Sequence, residues 1–285
     1  MKLSVVTVTY KSNIEELDLF IKSFFKYNDI GNSASLIIVD NSPLDYRAVQ
    51  NLVDSQYKNM VSYIANPTNP GFGASNNIGF KYLPSDYVLF INNDVEFLEP
   101  VFLKIIYEFE QNPSIGCVGV HQKGGAPSFF NKMTAPKHVQ MCTFDDKVHF
   151  ISGAFMFFSS DVFKQIGMFD EKLFMYLEEF DLSERLIQNG YCTKFLEELS
   201  FLHKVGNRRV VNKKLWIIGT HSFCHICRKY NLNPFSYISD SKRTFAKFFF
   251  YNIFVLHWKE ACKVWKVYYI RKKIIQKEFE IKKKQ

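Results

Sequence analysis

What most constrains this chain is a row of four β-rich runs, "LSVVTVTY", "ASLIIVDNS", "VSYIAN" and "YVLFINND", each ending on polar residues. Runs such as "LSVVTVTY" and Tyr87-Val88-Leu89-Phe90-Ile91 are apolar on both faces. That is the pattern of strands buried in a parallel sheet between two layers of helix. Helix-period segments fill the gaps. "NIEELDLFIKSFFKY" sets Leu17, Phe20, Ile21, Phe24 and Phe25 on one face. "YRAVQNLVDSQ" reads as a second helix, and "NPTNPGFGASNNIGFKYL" as a Gly/Asn turn running into a third. Strands alternating with helices predict βαβ units and a parallel sheet.

Beyond Pro100 the alternation loosens. "VFLKIIYEFEQ" predicts a helix and "IGCVGV" a strand, followed by a Gly/Pro/Lys-rich loop from Gln122 to Lys137. "HFISGAFMFFSSDVFKQIGMFDE" predicts a strand, a short helix and a turn. "LEEFDLSERLIQNG" is a helix stopped at Asn189-Gly190. "CTKFLEELSFLHK" returns as a strand, and from about Lys213 the chain reads as helices. A chain of 285 residues, 47% apolar and 17% aromatic, can bury a large core. It is long for one domain and short for two full ones. The expected division is a domain over 1–212 and a helical, basic extension over 213–285.

Charge is unevenly placed. From Lys242 onward there are 13 Lys/Arg against 3 Glu, a net of +10, so the overall +8 leaves −2 for the rest. The basicity belongs to the C-terminal segment, which suits an anionic partner such as a membrane surface. The six cysteines show no framework spacing, which points to free thiols in a reducing compartment. The first residues continue as an ordinary strand rather than a signal peptide. No stretch reaches the roughly 20 apolar residues needed to cross a bilayer.

In open parallel sheets, ligands sit beyond the carboxyl ends of the strands. This chain places Thr9 and Tyr10, Asp40 and Asn41, then Asn69, Gly71 and Gly73, and finally Asn92, Asn93 and Asp94 at those ends. One Asp after a strand is usually a turn former; four polar strand ends in order describe a crevice. A hard divalent cation takes oxygen ligands and needs only one or two protein carboxylates beside substrate phosphates. Asp94 fits that role, although the same three residues could equally cap the next helix. "YLEEFDLSERL" crowds Glu178, Glu179 and Asp181 at a helix start, where acids also complement the helix dipole. The apolar "GMFDEKLFMYL" before it can desolvate a carboxylate, which raises its pKa and suits a general base. Glu178 and Asp181 share a face, so Glu179 alone can point into a cleft. His203 ends a strand and leads into the basic "KVGNRRVVNKK", a fit for a lid over a diphosphate. Two weaker patterns also occur. Cys224 and Cys227 with His221 and His225 form a conceivable zinc set, but there is no second CxxC. Gly71, Gly73 and Gly79 miss the G-x-G-x-x-G spacing of a dinucleotide site.

Taken together, "SVVTVTYKS", "IIVDNSP", "NPGFGASNNIGF", "YVLFINNDVEF", "ISGAFMFF", "IGMFDEKLFMYLEEFDLSERL" and "FLHKVG" occur in the order seen in family-two glycosyltransferases, and the chain resembles their rhamnosyltransferase-like branch over roughly residues 3–210. The resemblance implies an α/β GT-A fold, a Rossmann-like, mostly parallel central sheet flanked by helices, here with a C-terminal helical extension. It implies a nucleotide-sugar site at Thr9, Tyr10, Asp40, Asn69, Gly71, Asn77, Asn93 and Gly153, with Ala154 beside the last. It places Asp94 at the final acid of an Asp-x-Asp motif, here Asn92-Asn93-Asp94, with His203 as its partner on Mg²⁺ or Mn²⁺. Glu179 stands where the family has its base, usually an Asp, and Asp181 accompanies it as a catalytic acid. The implied reaction is inverting transfer of rhamnose or a hexose from a dTDP- or UDP-sugar to a hydroxyl of a glycan acceptor, lipid-linked, in cell-surface polysaccharide synthesis.

Basic amphipathic helices such as those after Lys242 lie in a membrane interface, which would place the protein in the cytoplasm, peripheral on the inner face of the cell membrane. The same helices could instead pack on the catalytic domain with their charges solvated. The alternative function is a non-catalytic protein that uses this tail on nucleic acid or membrane. No nucleic-acid-binding motif is present, so no nucleic acid is expected as a partner. A nucleotidyltransferase of similar fold would carry a Gly-rich, cationic loop after strand one, where this chain has "TYKSN".

Overall fold

A computed structural model describes residues 1–124, 151–203, 212–254 and 257–280 of the chain. Beyond Gly124 the expected Gly/Pro/Lys-rich loop lies outside the described residues, as do 204–211 of the basic stretch after His203 and the last five residues. The described residues fall into two compact units. The first takes in 1–124, 151–171 and 178–203, and the second 172–177 and the helices from Lys213 onward.

The first unit is built on an eight-stranded sheet in the order β3-β2-β1-β4-β7-β6-β8-β5. The strands are β1 (Leu3–Thr9), β2 (Ala34–Asp40), β3 (Val61–Ala65), β4 (Tyr87–Ile91), β5 (Val95–Phe97), β6 (Ile115–Lys123), β7 (Phe155–Ser159) and β8 (Cys192–His203). β3, β2, β1 and β4 are mutually parallel, as are β6 and β8, while β7 and β5 run against their neighbours. The mostly parallel, helix-flanked sheet agrees with the expected fold. Strand β5 was not anticipated: three residues between a polar cluster and a helix carry too little pattern to read as a strand.

Alternation along the strands sorts the core into two layers. Leu3, Val5, Leu36, Ile38, Leu89 and Ile91 face one way, against Leu17, Phe20, Ile21 and Phe24 of α1 (Ile14–Tyr27) and Phe102, Ile105 and Ile106 of α4 (Phe102–Gln111). Val6, Ile37, Val39, Val88 and Phe90 face the other, against Phe80 of α3 (Phe72–Tyr82), Phe163 of α5 (Ser160–Gln165), and Leu182 and Leu186 of α6 (Glu178–Gln188). Each fully buried Leu, Ile or Phe contributes about 1.5–3 kcal/mol. Helix α1 starts on Asn13, whose side chain accepts from the Glu15 and Glu16 amides. The helix expected after Tyr46 is shorter, α2 (Ala48–Leu52), and opens into a π-helical turn over Val53–Tyr57. Helix α3 lies close on the sheet because Gly79 has no side chain. A Cβ there would stand 2.4 Å from Val6 Cγ1.

The second unit contains α7 (Lys213–Lys229), α8 (Pro234–Phe254) and α9 (Trp258–Glu280). Phe245, Val264, Val267 and Tyr268 form its core, with Trp216, Phe249 and Trp265 packed against them. Arg271 is buried there, its Nε donating to Thr220 Oγ1 (2.9 Å) and its guanidinium 4.9 Å from the Trp216 ring centre. Cys224 and Cys227 are buried in α7, and burial pushes their thiols up to about 12 and about 11. Such thiols are poor metal ligands at neutral pH. Among the described residues no three His, Cys, Asp or Glu side chains cluster as a metal site. No helix among them is long and apolar enough to cross a membrane.

Candidate active site

Because β3, β2, β1 and β4 are neighbours pointing the same way, their carboxyl ends form one rim. At β2 the carboxylate of Asp40 is 2% exposed and heavily bonded. Its Oδ1 accepts from Thr9 Oγ1 (2.9 Å), Ser42 N (3.1 Å) and Ser42 Oγ (2.7 Å), and its Oδ2 from the Tyr63 hydroxyl (3.1 Å). Burial, and then the Asp40 charge, push the Tyr63 hydroxyl far up, so it stays a donor. Asp40 thus ties β1, β2 and β3 together, and only Oδ2 keeps room for a further donor. Beside it, Asn41 Oδ1 accepts from Asn66 Nδ2 (2.7 Å) and Ser75 Oγ (2.9 Å). Tyr10 is exposed, and Lys11 holds a left-handed φ of 48°.

The turn into α3 runs through Asn69 (φ 44°) and Gly71 (φ 110°), the latter a conformation that favours glycine. Asn77 sits deeper than expected. Its Nδ2 donates to the Phe169 carbonyl (3.0 Å) and to Glu171 Oε1 (3.0 Å), and its Oδ1 accepts from Phe169 N (3.1 Å). It clamps the 169–171 segment to α3 and has no free polar atom facing a crevice.

At the end of β4, Asn93 Nδ2 donates to the Val8 carbonyl (2.7 Å) and Ser12 Oγ (3.1 Å), fixing this loop to the end of β1. The next residue is Asp94, and then β5 begins. Antiparallel pairing of β5 with β8 sets Val95 opposite His203. The result is His203 Nε2 3.1 Å from Asp94 Oδ1, with the histidine side chain 8% and the aspartate 30% exposed. His203 Nδ1 is buried without a hydrogen-bond partner among the described residues. An oxygen and a nitrogen side by side at a partly open strand end suit a divalent cation. With no third protein ligand clustered there among the described residues, a diphosphate and water would complete its shell.

Across the rim, Asn92 N donates to the Ala154 carbonyl (3.2 Å), which joins the Ser152–Ala154 turn to β4. Gly153 N donates to Glu179 Oε1 (3.0 Å). Burial raises the Glu179 carboxyl above its ordinary range, partly offset by its own amide and that of Gly153. The first turn of α6 sorts its acids by face. Glu178 and Asp181 are buried, while Glu179 turns to Gly153 and is only half-buried. Asp181 was expected to act beside Glu179. Its side chain is instead fully enclosed, with Oδ2 accepting from Arg185 Nε (3.0 Å) and Arg185 NH2 (2.6 Å), while Arg185 also donates to the Ile166 carbonyl. A carboxylate so committed anchors α6 and does not reach a substrate.

Ser42, Tyr63, Ser12 and Ser75 were missed in the sequence. Ser42 was within reach, because an Asp that accepts from the amide two residues on is the usual Asx turn. Tyr63 gave no signal, since only the register of β2 on β3 brings it beside Asp40.

The family model described as Glycosyl transferase family 2 matches residues 4–167. The low-salt glycan biosynthesis hexosyltransferase Agl10 of Haloferax volcanii is 26% identical over 212 residues, covering 67% of this chain and 64% of that protein. The chain therefore spans less than two thirds of this relative. The N-acetylglucosaminyl-diphospho-decaprenol L-rhamnosyltransferase of Mycobacterium tuberculosis is 36% identical over 56 residues, 20% of this chain and 18% of that one. Among solved structures, the mannosyltransferase PcManGT of Pyrobaculum calidifontis, in complex with GDP-Man and Mn²⁺, superposes with a TM-score of 0.61 at 12% identity, over 92% of this chain and 73% of that chain. At that identity the likeness is one of fold.

Proposed function

This chain belongs to glycosyl transferase family 2, and on that premise we propose that it is an inverting, metal-dependent glycosyltransferase. It moves rhamnose or a hexose from a dTDP- or UDP-sugar to a hydroxyl of a lipid-linked glycan acceptor in cell-surface polysaccharide synthesis, working in the cytoplasm at the inner face of the membrane. Residues 1–212 carry the chemistry and 213–285 form the extension. The observation that carries this reading is the gathering of the Asp94–His203 pair (3.1 Å) and the half-buried Glu179, its carboxyl pKa raised by burial, in the unit whose parallel strand ends form one rim. The relatives named as a hexosyltransferase and a rhamnosyltransferase support the donor class, and the mannosyltransferase solved with GDP-Man and Mn²⁺ supports a metal with a nucleotide sugar.

The donor's base lies over the β1–β2 end, where Tyr10 is exposed and Asp40 Oδ2 retains acceptor capacity. Gly71 and Asn69 shape the wall, and Asn93 holds the β4 loop in place. Gly153, whose missing Cβ leaves room for the Glu179 carboxylate, floors the sugar site beside the base. Asp94 and His203 would hold the divalent cation, which would neutralise charge on the departing diphosphate. Glu179 accepts the proton of the acceptor hydroxyl. The freed oxygen forms its bond to the anomeric carbon as the bond from that carbon to the diphosphate oxygen breaks on the opposite side. The configuration inverts, and the nucleoside diphosphate leaves with the electron pair. Asp181 positions α6 and takes no part in the proton transfer.

A thermal-shift and hydrolysis screen of nucleotide sugars, with and without Mn²⁺, tests this. Stabilisation by a UDP- or dTDP-sugar that depends on the metal is expected, with turnover abolished in Glu179→Gln while nucleotide binding survives. If no nucleotide sugar and neither free UDP nor dTDP raises Tm, the reading fails.

A further inference from the structure

We propose that the α8–α9 hairpin is a docking surface for an anionic lipid bilayer, with an aromatic tip that enters the interface and a lysine stripe that meets the headgroups. The tip lies at the end of α8 and the start of α9, which a hydrogen bond from His257 N to the Asn252 carbonyl (2.7 Å) ties together. Phe249 turns inward onto Trp265, with ring centres 5.7 Å apart. Phe250 and Phe254, one turn apart on the outer face, are 65% and 86% exposed, and Trp258 at the start of α9 is 58% exposed. Large side chains left in water at one end of a hairpin are an unpaid hydrophobic cost unless something covers them.

The charge on the same helix says what covers them. The exposed residues of α9 include Lys259, Lys263, Lys266, Lys273 and Lys277, which follow one another at helical spacing along one face. Of the acids of α9, Glu260 pairs with Lys263, one member of this stripe, and Glu278 turns away to His221 and Arg228 of α7. Between α7 and α9 lies a groove of about 310 Å³ lined by Lys213, Lys263, Lys266, Val267, Tyr269 and Ile270. Ammonium groups around an apolar floor match a phosphate headgroup with the start of its acyl chains. A basic face with Trp and Phe at one end is the composition of a helix that lies in a membrane interface. A polyanion without an apolar phase, such as RNA, would satisfy the lysines and leave the phenylalanines in water.

Binding at the docking surface needs no sugar donor, so it is read on the full chain with none present. Flotation is carried out with vesicles of phosphatidylcholine alone and of phosphatidylcholine mixed with phosphatidylglycerol. The protein is expected to float with the mixed vesicles only, and to be released by salt. Near an anionic surface each lysine is worth about fivefold in binding, so Lys263→Glu with Lys266→Glu should weaken it at least tenfold. Phe250→Ser with Phe254→Ser should abolish flotation at an unchanged circular dichroism spectrum, since both side chains point to solvent. Trp258 emission should shift to the blue on mixed vesicles, and Trp258→Phe should remove that shift. Failure to float with mixed vesicles, flotation of the double serine variant equal to the parent, or salt-dependent capture of a homopolymeric RNA without flotation would each overturn the proposal.

Discussion

Replacing Gly153 by Ala tests the placement of the base most directly. Gly153 is not at a left-handed φ, so alanine fits its backbone. The added Cβ would stand 2.5 Å from Glu179 Oε1 and 3.2 Å from its Cδ. The carboxylate must then retreat by about 1 Å to reach ordinary contact distance, and a shift of that size at a reacting group costs on the order of 10²-fold in rate. The same retreat stretches the Gly153 N–H bond to Oε1, now 3.0 Å. Hydrogen bonds to charged groups are worth about 1.5–3 kcal/mol. This one favours the ionised form and holds the pKa down against burial. Weakening it raises the Glu179 pKa further. The base works ionised, so the acid limb of the kcat profile should move to higher pH, with kcat at neutral pH down by about two orders of magnitude. Thermal stabilisation by UDP or dTDP with Mn²⁺ should survive, because neither Asp94 nor His203 is touched. A variant with kcat within twofold of the parent and an unmoved acid limb would refute the assignment of Glu179 as base and of the Gly153 amide as its support.

Four further outcomes are expected. Asp94→Ala and His203→Ala should each erase the part of nucleotide stabilisation that depends on Mn²⁺, read by thermal shift, while leaving the Tm of the free protein close to that of the parent. Asp181→Ala leaves the Arg185 guanidinium without its buried partner and should cost about 3 kcal/mol, seen as a Tm lower by roughly 10 °C. Gly79→Ala drives a methyl to 2.4 Å from Val6 Cγ1 and should destabilise by about 1–3 kcal/mol, measured by urea denaturation. Glu179→Gln should raise stability in a pH-dependent way. Its carboxyl is lifted above the ordinary 4.5 by burial, so the folded state gives up this proton less readily than the unfolded chain. The resulting penalty is absent below 4.5, grows as pH rises towards the folded pKa and is fully present above it. The gain in Tm should therefore be seen at neutral pH and vanish in acid.

The βαβ frame was legible because its strands are apolar on both faces and its helices keep a 3.6-residue period, so local pattern and global packing agree. Thr9, Asp40, Asn93 and Asp94 could be placed at the rim for the same reason: in a parallel sheet, strand ends fall together. What the sequence left open depends on register and on side-chain choice between competing partners. Asn77 and Asp181 are residue types that serve catalysis and structure alike. In the fold, one is taken up by the Phe169 backbone and the other by Arg185. The reach of Tyr63 to Asp40 and the existence of β5 follow from pairings across the sheet that no local period encodes. Beyond Lys213 the run of helices could be read, but not which faces they would bury. Nothing in the spacing of Phe249 and Phe250 says that the first turns in and the second out.

The short ladder of β5 on β8 reaches further than its three residue pairs suggest. By riveting Asp94 to His203 through adjacent backbone, it makes their separation indifferent to everything the chain does between them. A lineage could lengthen, shorten or redecorate the connecting segments, and so change which acceptor is admitted, while the two proposed metal ligands keep their spacing. A one-residue slip of that ladder, by contrast, would present Leu202 where the imidazole stands and silence the enzyme in a single step.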